Sequence, residues 1–453
     1  MYDISVFNIR KYIASHHHIV NNRIKILQKQ ILSMKTTENR AMLEGIIWNY
    51  GSLVILSVSG FLFNILIAHF YDASALGVFN RVYAWYCVLS QITVWGVHMS
   101  VMKLIPEYKA SVLERDKIVS SALILVLCFS GVTVFVVEPV LPWIITDNSK
   151  LMHSMQLAVP GLVFFSLNKV LLNYLNGLSE MKAYALFQSL RYIAITLVIL
   201  LCSTLKSDSI WLSFSFTVAE ILVFICSACY LFGRNMFSRC FSTAYIKEHL
   251  RFGTRILPAN MVLELNTKVD IICLGFILKD DYLIGIYSFA ILFVEGFYQL
   301  YITVRRSFNP KITEYFVENK LQEGLKEINR TLKKYLRILS PAALILISAG
   351  YYTVCCILHQ QDYFIGLEYL LIICVAIAFN GRKIILGNIF AQTGYPVYES
   401  TINAITVIAN FLFNVMLIYQ FGLLGAAIAT AFSHMVFGAI LKYGVKKELQ
   451  IYI

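Results

Sequence analysis

Long apolar stretches separated by short polar ones run the length of the chain, and that alternation predicts membrane-spanning helices. A spanning helix needs about 20 mainly apolar residues. Twelve stretches reach that length, over residues 45–71, 82–104, 118–137, 156–178, 184–205, 210–232, 253–278, 283–304, 338–358, 366–391, 397–419 and 422–445. The even count puts both termini on one side. The pattern predicts an all-α membrane protein, and the longest connection on the far side, about 138–155, leaves no room there for a folded domain.

One connection differs. After Asn309 and Pro310, which read as an N-cap and a first helical residue, apolar residues recur at Leu321, Leu325, Ile328, Leu332 and Leu336. Lys326, Arg330, Lys333 and Lys334 stand between them. The spacing predicts a basic amphipathic helix over about 310–337, lying on the anionic inner leaflet.

An internal repeat organises the whole. ILIAHFYDASALGVF around the first hairpin, with Gly77-Val78-Phe79, corresponds to IICLGFILKDDYLIGIY around the seventh helix, with Gly285-Ile286-Tyr287. The offset is 208 residues. A second pair, YLNGLSEMKAY and FAQTGYPVYES, sets Gly177 against Gly394 at an offset of 217. Six helices separate the copies, so the halves are parallel repeats about an axis along the membrane normal. The predicted organisation is a basic tail over 1–44, a six-helix bundle over 45–232, a linker over 233–252, a second bundle over 253–445 and a tail over 446–453. Met34 followed by KTTENRAML would make an ordinary short polar start, so residues 1–33 are expected to be dispensable.

Charge tests this layout independently. With the termini inside, the inner segments hold 29 of the 38 Lys and Arg residues, while the outer loops hold four: Arg81, Lys150, Lys206 and Lys279. That asymmetry is the positive-inside rule, and it explains the net charge of +12 without nucleic acid. Only 14% of residues are charged and 58% are hydrophobic, whereas soluble domains carry about 25% charged residues. Nine of the ten cysteines fall inside predicted helices, including the Cys226/Cys229 pair, and Cys240 lies in a basic inner loop. No disulfide framework or metal site follows from them, and His16-His17-His18 reads as a solvated tail. No G-x-x-x-x-G-K-[ST] loop occurs, so neither nucleotide-driven transport nor any cofactor is expected.

Charged side chains inside spans cost about 2.5–3.5 kcal/mol on insertion scales and therefore face an interior or a partner. The basic candidates are Lys169, Arg191, Lys268, Arg382 and Lys383; the acidic ones are Glu220, Glu264 and Glu295. Lys169 precedes Gly177 by 8 residues and Lys383 precedes Gly394 by 11, so the two lysines are expected on similar faces of corresponding helices. They could hold a diphosphate between them, or the set could be internal ion pairs, Glu264 and Lys268 being spaced i, i+4. The carboxylates Glu220 and Glu295 are candidates for ion coupling. Pro258 predicts a kink in the seventh helix, and Gly425 and Ala429 allow close helix packing.

The stretches GFLFNILIAHFYDASALGVF, FGTRILPANM, DIICLGFILKDDYLIGIYSFA, NPKITEYF and GLLGAAIATAFSH, in that order and spacing, resemble the polysaccharide and O-antigen-type flippases of the multidrug/oligosaccharidyl-lipid/polysaccharide exporter superfamily. The resemblance covers about residues 45–445. It implies two six-helix bundles around a central cavity in the bacterial inner membrane. It also implies movement of a polyprenyl-diphosphate-linked oligosaccharide to the outer leaflet for surface polysaccharide or lipopolysaccharide synthesis. Glycan polymerases and glycosyltransferases would be its partners. Five basic against three acidic candidates favour an anionic substrate over the organic cation of a multidrug antiporter. A membrane-embedded glycan polymerase or ligase would want a larger external loop, so no enzyme is expected.

Overall fold

The computed structural model describes residues 37–146, 148–233 and 240–449. Most of the basic N-terminal tail, with Met34 and the histidine triplet, lies outside these residues, as do parts of the linker and of the C-terminal tail.

In the first half, α1 spans Thr37–Phe70, α2 Ala73–Val94, α3 Val97–Glu107, α4 Val112–Ile144, α5 Ser149–Ala158, α6 Gly161–Gly177, α7 Met181–Thr204 and α8 Phe214–Gly233. The second half holds α9 Thr243–Ile277, α10 Asp281–Val317, α11 Leu321–Leu358, α12 Gly366–Ile385, the short α13 Ile389–Gln392, and α14 Pro396–Glu448. Among the described residues, nine helices are long and apolar enough to cross a membrane, or ten when the bent pair α2–α3 counts as one span. Two details reconcile these with twelve passes. The seventh span, α9, is long enough at 35 residues but is interrupted by Glu264, Lys268 and Asp270. The last helix, α14, has 53 residues, which straight would measure about 80 Å, far more than one bilayer crossing. It folds back at Gly422, whose φ of 58° and ψ of −131° are non-helical. A Cβ on Gly425 would overlap the carbonyl of Leu417, and the rings of Phe413 and Phe432 stand 5.8 Å apart. One continuous helix would hold those rings nearly 30 Å apart.

The repeat is visible as reciprocal contacts where α2 crosses α10. A Cβ on Gly77 would overlap the carbonyl oxygen of Asp281, and one on Gly285 would overlap that of Ala73. Both pairs are related by the 208-residue offset. One turn further, Asn80 Nδ2 donates to Ser288 Oγ at 3.0 Å, again across 208 residues. Such self-complementary pairing is what a two-fold relation between halves requires. Both glycines are needed because any side chain would hold the backbones apart.

Three boundaries differ from the sequence reading. The second span begins at Ala73 rather than residue 82, because Asp72 caps it by accepting from Ala75 N at 2.7 Å. Arg81 is therefore helical rather than in a loop, and it pairs with Asp281. The helix of the seventh span begins earlier than residue 253, since α9 starts at Thr243. Its first turns put Tyr245, His249 and Gly253 on one face against α3 and α4. There Tyr245 donates to Glu114 at 2.7 Å and buried His249 lies 2.9 Å from Ser100 Oγ. Finally, the amphipathic segment 310–337 does not lie free on a leaflet. It is the end of α10 and the start of α11, and its stripe Leu325, Ile328, Leu332 and Leu336 is buried. That stripe packs with Ile312 of α10 in the main core.

Candidate functional site

The halves meet at two levels. At the ends away from the basic connections, α2 packs on α10. At the basic ends, α9 packs on α3 and α4, with Trp95 Nε1 donating to Thr254 Oγ1 at 3.1 Å. Between these levels lies a cluster of charged and aromatic side chains.

Its first-half wall is built on α6. Phe165, Asn168 and Lys169 share a face by their i, i+3, i+4 spacing. Glu220 of α8 is 2% exposed and pairs with Arg191 of α7, Nε to Oε1 at 2.5 Å and Nη2 to Oε2 at 3.1 Å. Asn168 Nδ2 donates to the same carboxylate at 2.8 Å. Two hydrogen bonds and a close ion pair hold that buried carboxylate, and such support is the condition under which burying two charges is tolerated. Arg191 and Lys169 both lie over the Phe165 ring, at 5.2 and 5.3 Å from its centroid. Cation–π contacts of this length are attractive. Among the described residues no carboxylate lies within ion-pair distance of Lys169. It is the cation of this wall left for something else.

The facing wall comes from α9 and α10. Lys268 sits over the Tyr83 ring of α2 at 4.9 Å, and its ammonium is 3.8 Å from Glu295 on α10. The i, i+4 pairing of Glu264 with Lys268 is not the contact formed: Lys268 turns toward Tyr83 and Glu295 instead. Glu264 stands within electrostatic range of both Lys169 and Lys268. The Glu295 side chain is 52% exposed although it lies mid-helix, so the cluster is not sealed on that side.

Lys383 and Arg382 are elsewhere. Lys383 donates to Asn380 Oδ1 at 3.1 Å and packs beside Gly438 of α14, while Arg382 is exposed in the last turn of α12. Their helix corresponds to α6, but its partner face is α14 rather than the charged cluster. Of the five basic candidates, the structure brings together Lys169, Arg191 and Lys268.

Two features escape the sequence reading. One is the aromatic floor, where Phe216 stacks with Phe79, Tyr86 and Tyr83 at 5.0, 5.3 and 5.6 Å. Tyr83 and Tyr86 in one helix turn were its signal. The other is Asp270 of α9. Its carboxylate accepts from Thr430 Oγ1 at 2.6 Å, Asn414 Nδ2 at 2.9 Å and Tyr287 Oη at 3.2 Å. Asn410 Nδ2 lies at 3.5 Å, and all four donors are neutral. Hydrogen bonds of this kind are what a carboxylate at that depth requires. Asn410 and Asn414, spaced i, i+4 in an apolar stretch, were the available sign.

This arrangement, twelve passes in two related halves around a charged, aromatic cluster, has the fold of known membrane transporters. The sequence profile of the family described as polysaccharide biosynthesis protein matches residues 42–314, more than half of the chain, and the chain belongs to that family. Comparison with curated protein sequences gives no match. Among solved structures, the lipid II flippase MurJ in an inward closed conformation is similar at 18% identity, over 89% of this chain and 88% of that one, with a TM-score of 0.75. An inward-facing multidrug resistance MATE family transporter of the MOP superfamily matches at 14% identity, over 85% and 92%, with a TM-score of 0.70. A MOP superfamily transporter from Pyrococcus furiosus, described as having a binding pocket of reversed polarity, matches at 12% identity, over 88% and 93%, with a TM-score of 0.58.

Proposed function

We propose that the protein moves a polyprenyl-diphosphate-linked oligosaccharide from the cytoplasmic to the outer leaflet of a bacterial inner membrane by alternating access. Both termini are cytoplasmic in this reading. The observation that carries it is Lys169: a cation on the aromatic wall of Phe165, with no described carboxylate within ion-pair distance. Lys268, paired with Glu295, stands across from it, and a diphosphate headgroup would compete with Glu295 for that second cation. Membership of a polysaccharide biosynthesis family supports a glycan as the cargo. Glycosyltransferases would supply it and a glycan polymerase would consume it, as for O-antigen-type polymers. A multidrug antiporter, the function of one structural neighbour, would use the exposed Glu295 for a cationic substrate; Lys268, 3.8 Å away, offsets that charge.

The test is reconstitution in proteoliposomes with a fluorescent polyprenyl-diphosphate oligosaccharide, reading the fraction exposed to a membrane-impermeant glycosidase. Wild-type protein is expected to expose both leaflets, and Lys169→Ala to slow this at least tenfold at equal reconstitution. Uptake of a labelled organic cation without lipid movement would overturn the proposal.

A further inference from the structure

The α10–α11 hairpin continues well beyond the bilayer. The two helices have 37 and 38 residues, about 55 Å each, against a hydrocarbon core of about 30 Å. Between their extensions lies a groove of about 370 Å³. Its lining changes character along its length. Nearest the spans it is apolar, with Val304 and Phe308 of α10 facing Leu336 and Leu339 of α11. Two turns further out, polar groups enter the lining, Lys311 and Thr331 standing among Ile328, Leu332 and Tyr335, and at its far end Tyr315 donates to Glu327 at 3.0 Å. The rim is basic. Residues 305–337 hold nine Lys and Arg against four Glu, and the exposed Arg330 and Lys334 flank Thr331 on α11.

We propose that this groove binds an anionic phospholipid of the inner leaflet. Its phosphate sits among Lys311, Thr331 and the flanking bases, and an acyl chain runs along Phe308 and Leu339 into the bilayer. The polarity gradient has the direction a lipid requires, with the headgroup away from the membrane and the chain toward it. Basic pockets between helices at the cytoplasmic face are the recognised setting for anionic headgroups. An acidic protein helix would carry its carboxylates past Glu327, which with Tyr315 closes the exposed end. The assignment to the inner leaflet rests on the orientation proposed above; the groove and its charge do not.

Native mass spectrometry of the purified full chain, titrated with phosphatidylglycerol or phosphatidylcholine, tests the proposal. Phosphatidylglycerol is expected to be retained preferentially. Lys311→Gln removes one headgroup contact and should weaken retention about fivefold, and Thr331→Trp, which fills the groove, should weaken it at least as much. Lys320→Gln and Lys326→Gln, basic positions that do not line the groove, should leave it unchanged. Equal weakening by those two variants would mean diffuse surface charge and would overturn the site. So would undiminished retention in Lys311→Gln, or displacement of the lipid by soluble polyglutamate, which would assign the face to an acidic partner. The readout involves no transport, so a failed flipping assay and a failed lipid site are separate results.

Discussion

Glu220 is buried, and the cost of leaving a buried charge unpaired governs every substitution around it. Arg191→Ala would strand that carboxylate, a loss of about 3–5 kcal/mol for a buried pair. Membrane abundance is expected to fall several-fold and to recover in Arg191→Ala/Glu220→Gln; immunoblotting of isolated membranes checks both. Lys169→Ala strands nothing, because no described carboxylate pairs with it. Its abundance should stay near wild type while glycan export per inserted molecule falls, and Lys169→Arg should retain part of that export because the charge survives. Normal export per molecule in Lys169→Ala would remove the lysine from the substrate path. The sequence could mark these residues as expensive within a span, but not which cation takes which carboxylate. Arg191 and Glu220 lie 29 residues apart on different helices, and only their packing decides the pair. Lys383 shows the same limit. Its spacing from Gly394 was readable, whereas the face it presents depends on α14, which returns beside it at Gly438.

Helices were legible because the bilayer leaves the backbone no alternative: every spanning segment must satisfy its own hydrogen bonds. Their ends were not, because polar residues that cap or pair look like loop in sequence. Asp72 and Arg81 read as a connection and are a cap and a half-buried ion-pair partner. The hairpin stripe from Leu325 to Leu336 was readable as amphipathic, but its covering surface is Ile312 and its neighbours rather than lipid. The repeat, by contrast, was legible down to the residue, since Gly77 and Gly285 are the contacts that hold α2 against α10. Gly285→Val would push Ala73 away and part the helices at that end. Ser288→Cys introduced beside it should then react with an impermeant maleimide several times faster than in the Gly285 background. An unchanged rate would mean that the close approach does not hold that end shut.

At the scale of the molecule, the halves touch above and below the charged cluster, and alternating access requires those two contacts to open in turn. The end at α2 and α10 is closed by Asn80 with Ser288, by Arg81 with Asp281, and by Gln360, which donates to the carbonyl of Ala68 at 2.9 Å. The other end is joined by the first turns of α9 on α3 and α4, where Gly253 lets the backbone of Trp95 approach. A chain that only needed a stable pore would gain nothing from sealing both ends with polar, breakable contacts. Bridging Asn80→Cys to Ser288→Cys with a short bifunctional thiol reagent should therefore arrest lipid movement in proteoliposomes, and cleaving the bridge should restore it. The same bridge tests the order of events. With the α2–α10 end locked, Thr254→Cys at the opposite end should remain reactive and sample both open and closed states, because its contact is independent of the lock. If transport continues at the wild-type rate with the bridge quantitatively formed, the halves do not separate at α2 and α10, and the substrate must leave by a route that never opens that seam.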